Sequence, residues 1–159
     1  MAELNMTQPD LSTIPRHAGP LSRKDFRFFE SITLRYSDND ANGHINNATY
    51  YSFFDTAVDS YLVATTFRKV LSGAYQTLVV ASACRYFHQV SSPGTIEVGV
   101  RVAHLGNSTI TYQVAVFGSE HEQEASAQGT FTHCCVDRAT QRPVAVPDDL
   151  RTALHMKLS

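Results

Sequence analysis

Two periods run through the chain. Over residues 26–36 apolar positions recur at steps of two. Phe26, Phe28, Ile32, Leu34 and Tyr36 share one face, and Arg27, Ser31, Thr33 and Arg35 share the other, which predicts a half-buried strand. Over residues 48–66 the period becomes helical. Tyr50, Tyr51, Phe53, Phe54, Ala57, Val58, Tyr61 and Leu62 leave only a narrow polar stripe of Thr49, Ser52, Thr56 and Asp59. A helix so apolar must be covered, and a sheet is predicted to wrap it. Asp55 falls off the stripe and predicts a buried structural acid that anchors the helix or an arginine. Residues 67–73 read as a shorter helix or loop closing at Gly73. Period-two runs then return over residues 75–89, 96–102, 110–116 and 125–136, separated by turn formers at 91–94, 105–108 and 118–122. Gly129, inside the last run, predicts a bulge or a close backbone approach. Pro143 and Pro147 interrupt the chain, and Asp148 and Asp149 open a short terminal helix. One strand, a long helix and a series of antiparallel strands give an α+β order: a long central helix wrapped by an antiparallel sheet of about five strands.

Composition changes this picture little. A chain of 159 residues with 43% hydrophobic and 18% charged residues fits one globular domain, residues 23–159. Residues 1–22 are polar and punctuated by Pro9, Pro15 and Pro20, which predicts a disordered or extended arm that, if ordered, lies along a partner subunit. A net charge of -2 offers no basic patch for nucleic acid or anionic membranes. No stretch reaches the roughly 18 apolar residues of a membrane helix. The first residues, Met-Ala-Glu-Leu-Asn-Met, have neither a basic start nor an apolar core, so no secretory leader is expected and the cytoplasm is the default location. Cys84, Cys134 and Cys135 lack metal-type spacing and read as reduced thiols.

The candidate chemistry sits at the junction of strand and helix. Residues 36–47 read Tyr-Ser-Asp-Asn-Asp-Ala-Asn-Gly-His-Ile-Asn-Asn. Asp38, Asp40, Asn42 and Gly43 match the first half of an EF-hand loop, but Thr49 stands where the bidentate Glu belongs and the preceding segment is a strand. The structural reading is a set of Asx turns with Asn46 capping the helix. The catalytic reading places a carboxylate beside a helix N-terminus, whose N–H groups polarise an acyl oxygen.

Asp-x-Asp-x-x-Gly-His-Ile-Asn-Asn, followed by Tyr50-Tyr-x-Phe-Phe-Asp55, resembles the hot-dog-fold acyl-CoA thioesterases of the hydroxybenzoyl-CoA thioesterase-like branch, over about residues 26–137. That resemblance implies a hot-dog fold and hydrolysis of an acyl-CoA to a free acid and CoA. It implies Asp40 as general base or nucleophile and the N–H of Asn47 as oxyanion donor. It also implies a homodimer or homotetramer with the site at the subunit interface. Coenzyme A is part of the substrate, and no cofactor or metal is expected. His44 either moves a proton or orders the loop through a backbone bond. Asp38 is expected to fix the loop. Gly43, Asn46, Tyr50 and Arg85 are the candidate substrate contacts, and Arg101 and Arg138 share with Arg85 the candidacy for the CoA phosphates. Phe53, Phe54 and Phe87 line an acyl pocket or fill the core. His88, His104 and His133 are scattered, so no metal site is expected, and Cys134 and Cys135 have no evident His partner that would make a nucleophile. The alternatives are a non-catalytic acyl-CoA-binding or regulatory hot-dog protein, and a carrier-protein thioesterase. A hot-dog hydratase needs a different Asp and His spacing.

Overall fold

The computed structural model describes residues 19–66 and 73–158. Five strands, β1 (Phe28–Leu34), β2 (Tyr75–Tyr86), β3 (Gly94–Leu105), β4 (Thr109–Phe117) and β5 (Ala127–Asp137), form one antiparallel sheet in the order β1-β3-β4-β5-β2. The long helix α1 (Thr49–Thr66) packs on one face, and the terminal helix α2 (Asp148–Leu158) lies against β3 and α1. This is the hot-dog arrangement. The shorter helix or loop predicted at residues 67–73 falls, up to Gly73, outside the described residues, as do residues 1–18 of the N-terminal arm.

The core is the layer between α1 and the sheet. Tyr50, Phe53, Phe54, Ala57, Val58, Tyr61 and Leu62 recur at helical spacing and are buried. They meet Ile96, Val98, Val100 and Val102 of β3, Ile110, Tyr112, Val114 and Val116 of β4, and Phe131 and Cys135 of β5. Fully burying a side chain such as Phe54 or Val58 contributes about 1.5–3 kcal/mol. The helix keeps an open face formed by Ser52, Asp55, Thr56 and Asp59. Asp55 is therefore exposed and not the buried anchor predicted. It lies three residues after Ser52 and four before Asp59, within the solvent stripe.

The first strand is shorter than its alternation predicts. Phe26 is buried on the opposite face of the sheet from the helix, in a separate cluster with Ala115, Phe117 and Ala125. Its ring lies over Gly99 of β3, where a Cβ would stand 2.7 Å from the ring carbon Cγ. Arg101 reaches over the same ring, and Arg23 lies 4.2 Å from the Phe29 ring centre while pairing with Glu97 at 2.7 Å. At the other end Tyr36 leaves the strand in a single 3-10 turn and is 92% exposed. The segment before Phe26 also binds the outside of the chain's own sheet region: Leu21 donates its N–H to Gln128 Oε1 at 2.6 Å and accepts from the Ala125 N–H at 2.9 Å.

Gly129 is the close approach, because a Cβ there would overlap the Ala83 carbonyl oxygen of β2. The register irregularity lies in β2 instead, between Val79 and Ala81. β2 is an edge strand and carries three large, partly exposed apolar side chains, Leu78, Val79 and Tyr86.

Two polar atoms stand in this core without a partner: the Tyr112 hydroxyl and His133 Nδ1, on rings 5.4 Å apart. Burial pushes the His133 imidazole down to about 4, partly opposed by the Asp59 carboxylate. The unfolded chain takes up this proton near pH 6.5, whereas the folded chain refuses it until about pH 4. The stability held by neutral His133 is therefore complete above about pH 6.5 and lost as pH falls toward 4, by about 3 kcal/mol. Urea unfolding across this window should show the wild type losing about 3 kcal/mol relative to His133→Leu as pH falls, and a difference between the two that stays constant with pH would contradict the assignment.

Candidate functional site

The loop between β1 and α1 is pinned at its base. Asn39 and Ser92, in the turn between β2 and β3, clasp each other: the Ser92 N–H donates to Asn39 Oδ1 at 3.0 Å, and Asn39 Nδ2 donates to the Ser92 carbonyl at 3.3 Å. Ile45 is buried and donates its N–H to the Val90 carbonyl at 2.8 Å. Asn39 and Ile45 also bridge each other, so residues 40–44 form a tight projecting turn. The Asp40 N–H bonds the His44 carbonyl at 2.7 Å, and the Gly43 N–H bonds the Asp40 carbonyl at 3.1 Å. Gly43 closes this turn at φ +79°, a backbone region that costs a residue with a Cβ.

The Asp40 carboxylate is held by its own turn. Oδ1 accepts the Asn42 N–H at 2.7 Å and the His44 N–H at 3.4 Å. The Asn42 N–H is the main reason the carboxyl is held below the usual carboxylate range. Asp38 does something different: its Oδ2 accepts the Arg35 N–H at 2.7 Å, and its carbonyl accepts the Asn46 N–H at 2.8 Å. Both carboxylates therefore face backbone donors, which a calcium loop would instead turn toward the ion.

Asn46 turns the chain into the helix, its Oδ1 accepting the Ala48 N–H at 2.9 Å and its carbonyl the Thr49 N–H. The Asn47 N–H meets no acceptor among the described residues and lies at an exposed position beside the positive end of α1. The Asn47 carbonyl accepts the Tyr86 hydroxyl at 3.1 Å, and the Tyr86 ring stands edge-on to Tyr50 at 5.1 Å. Burial pushes the Tyr50 hydroxyl up to about 12 and the Cys84 thiol up to about 11, and raises Tyr86 as well. Around neutral pH none of these three supplies a negative charge or a thiolate, and the charge at this junction comes from the aspartates.

His44 is half-buried and borders a cavity of about 390 Å³ between the loop, the β2–β3 turn and the β4–β5 loop. Asp40 does not line it. Arg85 stands on β2 between Cys84 and Tyr86 and, by strand alternation, points to the sheet face opposite the helix. Arg101 donates to Gln113 and to the Asp25 carbonyl, and Arg138 to the Gly73 carbonyl and Gln76. Phe53 and Phe54 are core residues. Sequence reasoning missed Tyr86 and Asn39, whose roles depend on partners 39 and 53 positions away. Nothing local marks either of them.

A family model described as the thioesterase-like superfamily matches residues 34–154. The PA5185 protein of Pseudomonas aeruginosa has a solved structure that is 46% identical, with a TM-score of 0.80, over 88% of this chain and 96% of that one. The uncharacterized protein YsmA of Bacillus subtilis is 27% identical over 85% of this chain and 90% of its own length. A DHNA-CoA thioesterase from Staphylococcus aureus shares the fold, with a TM-score of 0.72 at 18% identity over 80% of this chain and 88% of that one.

The loop geometry makes a direct expectation. A carbon-13 titration of the Asp40 carboxyl should give a midpoint below the ordinary aspartate value of about 3.9. A midpoint at or above that value would mean the Asn42 bond does not hold the charge.

Proposed function

We propose that this chain, which belongs to the thioesterase-like superfamily, hydrolyses acyl-CoA thioesters. The observation that carries this reading is an ionised carboxylate, Asp40, on a pinned turn next to a helix start whose Asn47 N–H is unfilled. In this reading the Asn47 N–H receives the thioester carbonyl oxygen as it gains charge. Asp40 either attacks the carbonyl carbon or takes a proton from the attacking water. The C–S bond breaks, the CoA thiolate leaves, and water supplies the hydroxyl of the free acid. A thiolate is a good leaving group, so one carboxylate and one oxyanion donor can suffice without a serine triad. His44 orders the turn through its backbone N–H and borders the neighbouring cavity. Gly43 shapes the turn, Asn46 presents the helix start, and Tyr50 with Tyr86 backs it. Arg85, on the outer face, is assigned to the CoA phosphates of a substrate bound across two subunits.

The edge strand supports a homodimer or homotetramer. Leu78, Val79 and Tyr86 are exposed along β2, and an open edge with apolar side chains invites a second copy. No described helix is long and apolar enough to cross a membrane, and we assign the protein to the cytoplasm. The second reading, a non-catalytic acyl-CoA-binding protein, is favoured by one fact: the Asp40 carboxylate spends its strongest bond on its own turn. A carrier-protein thioester is the remaining substrate alternative.

Asp40→Asn discriminates. It should keep the thermal unfolding midpoint within a few degrees while lowering release of free thiol from acyl-CoA by about 100-fold or more. Turnover near wild type in this variant removes Asp40 from the reaction, and a wild type that binds acyl-CoA without releasing thiol favours the binding protein.

A further inference from the structure

Around position 47 the backbone donors are taken on both sides of a gap. The N–H of Ile45 goes to the Val90 carbonyl, that of Asn46 to the Asp38 carbonyl, that of Ala48 to Asn46 Oδ1 and that of Thr49 to the Asn46 carbonyl. Within this run of residues 45–49 only the Asn47 N–H meets no acceptor among the described residues. Its direction follows from how the two peptides flanking the Asn47 Cα are held. The peptide before it is held by its carbonyl, which accepts the Thr49 N–H at 2.9 Å. The peptide after it is gripped at both ends: its N–H donates to Asn46 Oδ1 at 2.9 Å, and its carbonyl accepts the Tyr86 hydroxyl at 3.1 Å. The first of these grips is local, and the second comes from a strand 39 positions away. Tyr86 is itself well anchored. It ends β2, where it pairs with the buried Ala127 of β5, and the next two N–H groups, of Phe87 and His88, both go to the Ser126 carbonyl. Its ring stands edge-on to the buried Tyr50, with centres 5.1 Å apart. Burial raises the Tyr86 hydroxyl above the ordinary phenol value, so it remains a donor well into alkaline pH.

We propose that Tyr86 is a positioning residue of the thioesterase site: through the Asn47 carbonyl, its hydroxyl holds the free Asn47 N–H in the orientation that receives the thioester oxygen. This rests on the hydrolase reading above and adds to it a residue that acts without touching the substrate. An oxyanion donor is effective only when it is aligned before the charge forms; a donor that must be ordered during the reaction returns part of its stabilisation. Asparagine tolerates more of the backbone map than most residues, so position 47 has little stiffness of its own and depends on its tethers. The effect falls on the transition state, because a developing oxyanion gains more from an aligned donor than a neutral carbonyl does.

The test is Tyr86→Phe, which removes the hydroxyl and keeps the ring beside Tyr50. Hydrolysis is followed with the member of a panel from acetyl-CoA to palmitoyl-CoA that the wild type turns over fastest, alongside thermal unfolding and nitrogen-15 relaxation of the backbone amides. In Tyr86→Phe kcat should fall about tenfold with KM within about twofold of the wild type, the pattern of an interaction realised in the transition state and smaller than the roughly 100-fold for losing an oxyanion donor outright. The order parameter of the Asn47 amide should fall, while those of Ile45 and Asn46, tied by their own bonds, stay as they were. A raised KM at unchanged kcat would make the hydroxyl a substrate contact. A lowered unfolding temperature at unchanged kcat would make it a structural tie, and an unchanged Asn47 order parameter would mean that the donor is held without it. Each of these overturns the assignment and leaves the hydrolase reading in place. Absence of hydrolysis of the whole panel by the wild type would overturn the hydrolase reading and this inference with it.

Discussion

Ile45 donates its N–H to the Val90 carbonyl across 2.8 Å, and through that bond the loop after the first strand is tied to the turn between the second and third. The Asn39–Ser92 clasp adds two more bonds at the same place. Glycine and asparagine make the 40–44 turn pliable on their own, and these long-range bonds remove that freedom. With the base fixed, the turn and the first residues of α1 keep a constant relation to each other. The helix is held in turn by its apolar face on the sheet. The position of the candidate site is thus set by core packing on one side and by three backbone-directed bonds on the other.

Charge at the junction follows from burial. Tyr50 and Cys84 are surrounded by protein and stay protonated, and Tyr86 spends its hydroxyl on the Asn47 carbonyl. Asp40 keeps its charge because a backbone N–H faces it. A carboxylate held this way is a weak proton acceptor, so in the proposed reaction the turn must yield the Asn42 bond, or share it. The exposed edge of β2 lies in the same strand that supplies Tyr86, so a second copy docking there would rest directly against the support of the helix start.

Much of this was legible in the residues. Alternation in β3 and β4 marked Ile96, Val98, Val100, Ile110, Tyr112 and Val114 as one inward face, and the helical spacing of Tyr50, Phe54 and Tyr61 marked the other half of the core. The 38–47 motif marked the junction because turn chemistry is local. What failed was long-range. Phe26 obeys the alternation of β1 but lies on the other face, because Gly99 leaves room there. Asp55 looked isolated among aromatics, yet a quarter turn of the helix carries it to solvent. Tyr36 continues the period but follows the turn outward.

In the proposed reaction a thioester meets Asp40 and the start of α1 together. A crystal structure of Asp40→Asn with an intact acyl-CoA bound tests it most directly. The thioester oxygen should lie within hydrogen-bonding distance of the Asn47 N–H, with residue 40 alongside the carbonyl carbon. A thioester bound away from both groups, or turned with its sulfur toward the helix, would contradict it.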